Sequence, residues 1–235
     1  MSNYYPVMLD VRGREAIVIG GNRLAAEKAS ALVASGAHVS VLSPEYTPEL
    51  LSMAENGEIR LHQKSYEPGD LAGAFVVVAV TTDQQQIEAI WRETWQRGQP
   101  VNIADVPRYC SFILPSILRR GRLTVAVSTE GASPGMAKRI RQRLEETFSP
   151  AYGDYIDLAA LARVYLRRHG VSYDSRDEFV QNFMDSPVLS LLTAGETRAA
   201  LAVTADLLRG YGIEVTAVEL ERQFIEESKD VASAK

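Results

Sequence analysis

A pair of glycines, Gly20 and Gly21, separates a β-branched run from a helical pattern in the stretch A-I-V-I-G-G-N-R-L-A-A-E-K, residues 16–28. A strand, a glycine turn and a helix in this order bring backbone N–H groups and a helix N-terminus up to a diphosphate. A Cβ in the turn would obstruct both the tight bend and the phosphate oxygens. The pattern departs from the dinucleotide fingerprint at Asn22, where a second glycine is expected, and at Ala25, which replaces the last one. The stretch predicts a dinucleotide site, with an ordinary strand-to-helix turn as the alternative.

The segment S-P-E at residues 43–45 follows the second predicted strand, where a Rossmann-type cofactor places its ribose. Glu45 is an acid for the ribose hydroxyls, although it comes somewhat late in the sequence; a loop acid is the alternative. No Arg or Lys occurs between Val39 and Glu49 to neutralise a 2′-phosphate. We therefore expect NAD rather than NADP. The residues assigned to this cofactor by their position after strands are Ser43, Pro44, Glu45, Thr81 and Thr82.

The segment N-I-A-D at residues 102–105 ends the fifth predicted strand, at the sheet edge where ligands of open α/β sheets bind. A carboxylate at Asp105 would face the nicotinamide side of the crevice and accept a proton while a hydride leaves a substrate. The alternative is that Asp105 only caps the turn before Pro107. The position of Asp105 alone does not decide between these two interpretations.

The segment S-T-E-G-A-S-P at residues 128–134 predicts a second loop that leads into a helix N-terminus, with N–H groups and hydroxyls as donors to an anion. Behind this loop, four cations crowd the middle of one helix: Lys138, Arg139, Arg141 and Arg143. A solvated helix face is the usual explanation of such a run, and a polyanionic ligand is the alternative.

Strand and helix patterns alternate along the first hundred residues, which indicates an α/β fold with a doubly wound parallel sheet. The predicted strands are 17–19, 39–42, 59–62, 75–80 and 101–103, preceded by a lead-in strand or edge segment at 5–9. In the helix that follows residue 83, Trp91 and Trp95 are expected to face inward.

The pattern changes after residue 110, where two strand-like runs at 112–114 and 123–128 predict a small added β-element. The rest of the chain is mostly helical in pattern. The helices predicted there are 134–147, 152–168, 177–184, 188–192 and 196–209.

Composition bounds the class of protein. The chain has 235 residues, of which 46% are hydrophobic, and a formal net charge of -5, so a packed core is available and a nucleic-acid-binding role is disfavoured. A single cysteine, Cys110, fits a reducing compartment, and its expected place is a buried small side chain. The three histidines are scattered, which predicts no metal site. No leader pattern or membrane-length apolar run is evident, so we expect a soluble cytoplasmic protein.

Five motifs, taken together, resemble the family of precorrin-2 dehydrogenases, including the dehydrogenase/ferrochelatase part of sirohaem synthases. They lie between Tyr5 and Glu145 and read Y-P-V-M-L-D, V-I-G-G-N-R-L-A-A-E-K, V-N-I-A-D-V-P, C-S-F-I-L-P-S-I and V-A-V-S-T-E-G-A-S-P. The resemblance implies NAD-dependent oxidation of precorrin-2 to sirohydrochlorin in sirohaem biosynthesis. It also implies a homodimer whose two subunits form the sites together, with an NAD-binding Rossmann-like domain at 1–113, a dimerisation domain at 114–149 and a helical C-terminal domain at 150–235.

The resemblance also assigns roles to residues. Asp105 matches the family's catalytic aspartate, the general base. Asn102 and Thr129 match positions that line the tetrapyrrole pocket, and the neighbouring hydroxyls of Ser128 and Ser133 are included with them as substrate contacts. The dinucleotide contacts are matched by Arg23, Leu24, Pro44 and Glu45, beside Gly20, Gly21 and Asn22.

Several alternatives stay open at this point. Some relatives also insert ferrous iron into sirohydrochlorin, and no residue here separates those from the pure dehydrogenases. A nucleotide-sensing module and a tetrapyrrole carrier that has lost NAD are the alternatives without chemistry, the second supported only by Asn22. The methyltransferase module of the fused enzymes has no counterpart in the sequence pattern, so a separate methyltransferase is expected to supply precorrin-2.

Overall fold

The computed structural model describes residues 4–233, with side chains described as far as residue 226. The chain divides into two compact units, which meet in sequence at Leu114 and Pro115. The first unit is an α/β layer structure, and the second combines a β-hairpin with helices. None of the helices in the described part of the chain has the length and hydropathy needed to cross a bilayer.

The first unit is built on a parallel sheet of five strands in the order β3-β2-β1-β4-β5. Its strands are β1 (Glu15–Ile19), β2 (His38–Leu42), β3 (Ile59–His62), β4 (Val76–Ala79) and β5 (Val101–Ile103). Its helices are α1 (Arg23–Val33), α2 (Pro48–Glu55) and α3 (Gln84–Arg97), with a short 3₁₀ turn at Pro107–Tyr109. The predicted doubly wound parallel sheet is confirmed. The strand order reverses between β1 and β4, so their carboxyl ends open a crevice of the kind that binds nucleotides.

Two apolar clusters bury the two faces of this sheet, and β4 is buried along its whole length. Continuous burial explains why β4 is an unbroken run of valines and alanine rather than an alternating pattern. Two predictions are wrong here. Residues 5–9 form no strand and lie exposed, and Trp95 is 74% exposed and stacks on Trp91 instead of entering the core.

The second unit begins with an antiparallel hairpin, β6 (Ser116–Arg120) and β7 (Leu123–Val127), in which Arg120 pairs with Leu123. The strand predicted at 112–114 is therefore wrong by a few residues. Its helices are α4 (Pro134–Thr147), α5 (Tyr152–Arg168), α6 (Tyr173–Asp185), α7 (Val188–Thr193), α8 (Thr197–Arg209) and α9 (Ala217–Ser233). The bounds predicted for α4 and α5 are confirmed, whereas α9 has no counterpart among the predicted helices.

The turn of the hairpin packs directly on the first turn of α5. Gly121, with φ +54°, lies so close to Gly153 that a Cβ on it would stand 3.0 Å from the Gly153 Cα. Beside this contact, Arg122 Nε lies 3.0 Å from Asp157 Oδ1. The two glycines allow the backbone of the hairpin turn to pack against that of α5, and the ion pair between Arg122 and Asp157 adds a side-chain contact beside them. The hairpin and α5 thus pack together within one compact unit, and the separate domains at 114–149 and 150–235 stay a prediction.

Replacing Gly121 by Ala tests how much this contact stabilises the second unit. We expect a lower urea midpoint, because the new Cβ costs about 1–2 kcal/mol in a left-handed conformation and also meets the α5 backbone. Gly170→Ala is the matched control, since Gly170 has φ +68° with no neighbour within 4 Å of an added Cβ. Equal losses in the two variants would contradict a role for the contact.

Candidate functional site

The glycine pair lies where three loops meet at the carboxyl ends of β1, β2 and β4. Gly20 has φ +123°, and a Cβ on it would stand 2.6 Å from the Val80 carbonyl oxygen. A Cβ on Gly21 would lie 1.7 Å from the Glu45 carbonyl oxygen and 2.5 Å from Ser43 Oγ. Backbone therefore approaches both glycines more closely than any side chain permits, which makes glycine obligatory at each position.

A backbone hydrogen bond also holds the loop after β2 against the glycine pair. The Thr47 N–H donates to the Gly21 carbonyl at 2.9 Å, so the loop after β2 is tied to the loop after β1. Ser43 is buried in this contact, whereas Pro44 and Glu45 are exposed at the rim. The structure thus brings together the predicted cofactor residues of these two loops.

Asn22 is the N-cap of α1, and this explains the missing glycine. Its backbone is extended, with φ -86° and ψ 177°, and its Oδ1 accepts from the Ala25 N–H at 3.0 Å. The left-handed freedom of a third glycine is not used at this position. The first N–H groups of a helix have no acceptor within the helix, so the cap satisfies one and leaves those of Arg23 and Leu24.

The side chains that follow the cap differ in exposure. Arg23 is exposed and pairs with Glu27 at 3.4 Å, one helical turn further along, and Leu24 is half-buried. Such an exposed i, i+4 pair contributes little to stability. The pair does place the Glu27 carboxylate beside Arg23, which follows the glycine loop directly.

The loop after β4 closes the opposite side of the crevice. Thr81 Oγ1 accepts from the Asp83 N–H at 3.2 Å, and Asp83 caps α3 by accepting from the N–H groups of Gln85 and Gln86. Thr82 is exposed between them. The cap of α3 is therefore Asp83 itself, and Thr81 shapes the loop that faces the glycine pair across β1 and β4.

Asp105 sits in a left-handed conformation directly after β5. Its φ is +61°, and the turn around it is closed by the Val106 N–H donating to the Ile103 carbonyl at 3.2 Å. The side chain is exposed. A non-glycine residue at positive φ is strained, and such strain persists where the surrounding structure imposes it, often at functional sites.

Asn102 holds the segment that follows the 3₁₀ turn. Its Nδ2 donates to the Phe112 carbonyl at 3.0 Å, and it is half-buried. Cys110 and Ser111 hydrogen-bond to β5 on either side of it, whereas the sequence predicted Cys110 only as a buried small side chain.

In the second unit, the hydroxyls predicted to contact substrate order their own loop. Ser128 Oγ accepts from the Glu130 N–H at 3.0 Å, Thr129 Oγ1 from the Ser133 N–H at 3.1 Å, and Ser133 Oγ from the Met136 N–H at 3.4 Å. Glu130 and Gly131 both have positive φ, at 51° and 84°. Because each hydroxyl acts as an acceptor in this loop, its proton is available for donation to a ligand.

The cations of the hairpin and α4 fall into two groups. Arg120 donates to the Phe148 carbonyl, Arg122 pairs with Asp157, and Arg141 pairs with Glu145. These three arginines are therefore engaged in contacts within the protein. The cations on exposed positions of the hairpin and α4 are Arg119, Lys138, Arg139 and Arg143.

Within the described residues there is no cluster of three or more His, Cys, Asp or Glu side chains with the geometry to hold a metal ion.

Comparison with known proteins matches both units. A family model described as putative NAD(P)-binding matches residues 7–116, and one described as sirohaem biosynthesis protein, central, matches residues 120–147. A solved structure, SirC, precorrin-2 dehydrogenase, superimposes with a TM-score of 0.72 at 29% identity, covering 86% of this chain and 98% of that one. Both units of the chain therefore resemble precorrin-2 dehydrogenase.

Part of the sequence of several siroheme synthases is also similar to this chain. The siroheme synthase of Nitrosomonas eutropha is 35% identical over 199 residues, which are 84% of this chain and 42% of that protein. The siroheme synthase of Nitrosococcus oceani is 33% identical over 207 residues, 88% of this chain and 44% of that protein. The chain thus spans less than half the length of these siroheme synthases.

Asn22→Ala tests the cap that this chain has at the position where the dinucleotide fingerprint has a glycine. We expect a loss of about 1 kcal/mol in the free energy of unfolding, whereas Asn22→Gly costs only a few tenths. Thr47→Ala is the matched control, because Thr47 is the N-cap of α2 but makes no side-chain cap hydrogen bond. Thermal unfolding gives the three values, and an Asn22→Ala loss no larger than that of the control would contradict the role of the cap.

Proposed function

We propose that this chain oxidises precorrin-2 to sirohydrochlorin, with NAD as the hydride acceptor and Asp105 as the general base. The observation that carries the proposal is the exposed Asp105 carboxyl group, held at φ +61° at the carboxyl end of β5, in the same sheet as the glycine cradle. The likeness to SirC, precorrin-2 dehydrogenase, and to the siroheme synthases supports the substrate.

The residues around the glycine pair fit a dinucleotide. Val80, Ser43 and Glu45 leave no room for a Cβ on Gly20 or Gly21, and N–H groups of the α1 N-terminus beside this pair remain for a diphosphate. Ser43, Pro44 and Glu45 lie beside the cradle for the ribose, and Thr81 and Thr82 lie on the far side of the crevice. The loop after β2 has no Arg or Lys between Val39 and Glu49 to bind a 2′-phosphate, which favours NAD over NADP.

The reaction removes one hydride and one proton from the substrate, so each needs an acceptor. When bound, NAD accepts the hydride. Asp105 accepts the proton. Its carboxylate is exposed on the turn that follows β5, where it can contact a substrate bound at this end of the sheet. Proton transfer by a positioned side chain contributes about 10²- to 10⁴-fold to a rate.

The substrate has a rim of carboxylates, and the proposed contacts are hydrogen-bond donors and cations. Asn102 lies on β5, three residues before Asp105. Ser128, Thr129 and Ser133 contribute hydroxyl protons from a loop that they themselves order. The exposed cations of the second unit are suited to carboxylates: Arg119, Lys138, Arg139 and Arg143.

The test is anaerobic absorbance of the purified protein with enzymatically generated precorrin-2, with and without NAD. We expect a sirohydrochlorin spectrum that requires NAD. No NAD-dependent change with competent substrate would reject the dehydrogenase and favour a binding module. Adding ferrous or cobaltous ion afterwards and comparing the rate with a protein-free control measures chelatase activity in the same cuvette.

Asp105→Asn tests the general base. We expect kcat to fall at least about a hundredfold, with NADH still bound, because the substitution removes the proton acceptor and leaves the cradle intact. Asn is the cleaner replacement because it tolerates a left-handed conformation better than Ala does. Fluorescence titration with NADH is the control, and an unchanged kcat would reject the assigned role.

We also propose that two copies of this chain associate through the hairpin and α4. These elements have little core of their own, since Ala137 is the buried residue of α4 and Leu118 that of β6. Ile117, Met136 and Ile140 are exposed on them, at 41%, 59% and 39%. Exposed apolar side chains on elements that lack a core indicate a partner surface, and the commonest partner is a second copy.

Ile140→Asp is expected to shift the protein towards monomers, because a charge cannot be buried at an apolar contact without a partner. Light scattering at micromolar concentration should give twice the 25.9 kDa of one chain for the unchanged protein and a lower mass for the variant. Val180→Asp is the matched control, since Val180 is 51% exposed on α6, outside the proposed surface. A monomeric unchanged protein would reject the dimer.

The cytoplasm as compartment, and a methyltransferase on a separate chain as the source of precorrin-2, stay predictions from the sequence.

A further inference from the structure

The outer edge of β5 has no neighbouring strand, and side chains take its place. β5 is the last strand of the sheet, so the N–H and C=O groups of Val101 and Ile103 point away from β4. The Ser111 N–H donates to the Val101 carbonyl at 2.9 Å, and the Val101 N–H donates to Ser111 Oγ at 2.8 Å. An open strand edge is thereby satisfied without a further strand.

Cys110 satisfies the edge of β5 in the same way at Ile103, two residues after Val101. The Ile103 N–H donates to Cys110 Sγ at 3.1 Å, and the thiol lies 3.2 Å from the Ile103 carbonyl oxygen. The same sulfur lies 3.5 Å from the Val106 carbonyl oxygen. One thiol therefore contacts both ends of the turn Ile103–Val106, which carries Asp105.

That turn needs an external restraint. Asp105 is held at φ +61°, a conformation that costs a residue other than glycine about 1–3 kcal/mol and persists only where its surroundings impose it. The backbone of the turn is restrained by bonds from the Val106 N–H to the Ile103 carbonyl, from the Ala104 N–H to the Ala79 carbonyl in β4, and from the Tyr109 N–H to the Val106 carbonyl. Cys110 is the side chain that adds contacts at both ends of the turn.

We infer that Cys110 is a positioning residue, whose thiol holds the turn Ile103–Val106 and thereby aims the Asp105 carboxylate at the substrate. The inference rests on the proposed function, because it gives Cys110 a role only through Asp105. Cys110 touches the backbone of the turn, and its Sγ also lies 3.7 Å from Asn102 Nδ2. It touches no reacting atom, so its effect is on geometry, and the double-mutant cycle with Asp105 separates the effect through the turn from any effect through Asn102.

The chemical state of the thiol suits this role. Burial raises the pKa of Cys110, and the hydrogen bond from the Ile103 N–H, which lowers that pKa, does not offset the burial. The group therefore keeps its proton at neutral pH and can donate to a carbonyl while it accepts an N–H. A serine hydroxyl has the same donor and acceptor but a smaller oxygen, which fits contacts of 3.1–3.5 Å less well.

Cys110→Ala is the first test, with precorrin-2 turnover and NADH binding measured on the full chain. A displacement of about 1 Å at a catalytic group costs up to about a hundredfold, so we expect kcat to fall at least about tenfold. The affinity for NADH should stay within about twofold of the unchanged protein, because the cradle is untouched. Cys110→Ser should recover part of kcat, and it carries the test alone if the Ala variant does not fold.

Ser111→Ala is the matched control. Ser111 satisfies the same strand edge at Val101, two residues before Ile103, and has no contact with the turn. We expect Ser111→Ala to lower the thermal midpoint as Cys110→Ala does and to leave kcat within about twofold. If both variants lose kcat in proportion to their lost stability, Cys110 is merely structural and the inference is overturned.

A double-mutant cycle separates action through Asp105 from independent action. In the Asp105→Asn background the aspartate is already gone, so Cys110→Ala should cause no further loss of the residual rate. An equal loss in both backgrounds would overturn the inference and leave Asp105 as the base. An unchanged protein without NAD-dependent turnover would instead reject the proposed function, and with it this inference.

Discussion

The parallel pairing of β1 with β2 on one side and β4 on the other is the constraint on which the site depends. This pairing makes the loops after all three strands leave the sheet at one edge and converge on Gly20 and Gly21. The convergence is tight enough that backbone atoms occupy the space where a side chain would begin. The cradle is therefore a product of the sheet, and the glycines permit the sheet to close as it does.

Much of the first unit could be predicted from the sequence because its patterns are local. A buried parallel strand such as β4 reads as an unbroken apolar run, and a glycine after a helix marks its end, as Gly98 does for α3. The same reasoning placed Asp105 directly after the fifth strand, and the structure has it there. What local patterns could not give was the backbone conformation of Asp105 or the side chains that hold it.

The errors have a common physical origin, which is that tertiary contacts override local pattern. The apolar residues at 112–114 read as a strand, but the Phe112 carbonyl is taken by Asn102, and the segment covers the edge of β5 instead. Trp95 fits the apolar spacing of α3, yet it stacks on Trp91 at the surface. In the sequence, Asn22 looked like a loss of the glycine motif, because its hydrogen bond from the Ala25 N–H can be seen only in the structure.

The cap at Asn22 also bears on how a dinucleotide leaves. In a glycine-only loop, a departing diphosphate exposes several helix N–H groups at once, and water must replace every bond. Here the Ala25 N–H already has Asn22 Oδ1 as its acceptor without a dinucleotide, so on the proposed function fewer N–H groups lose a partner when the dinucleotide leaves. The cap then keeps the helix start ordered as the cofactor departs, which favours its rapid replacement at the expense of affinity.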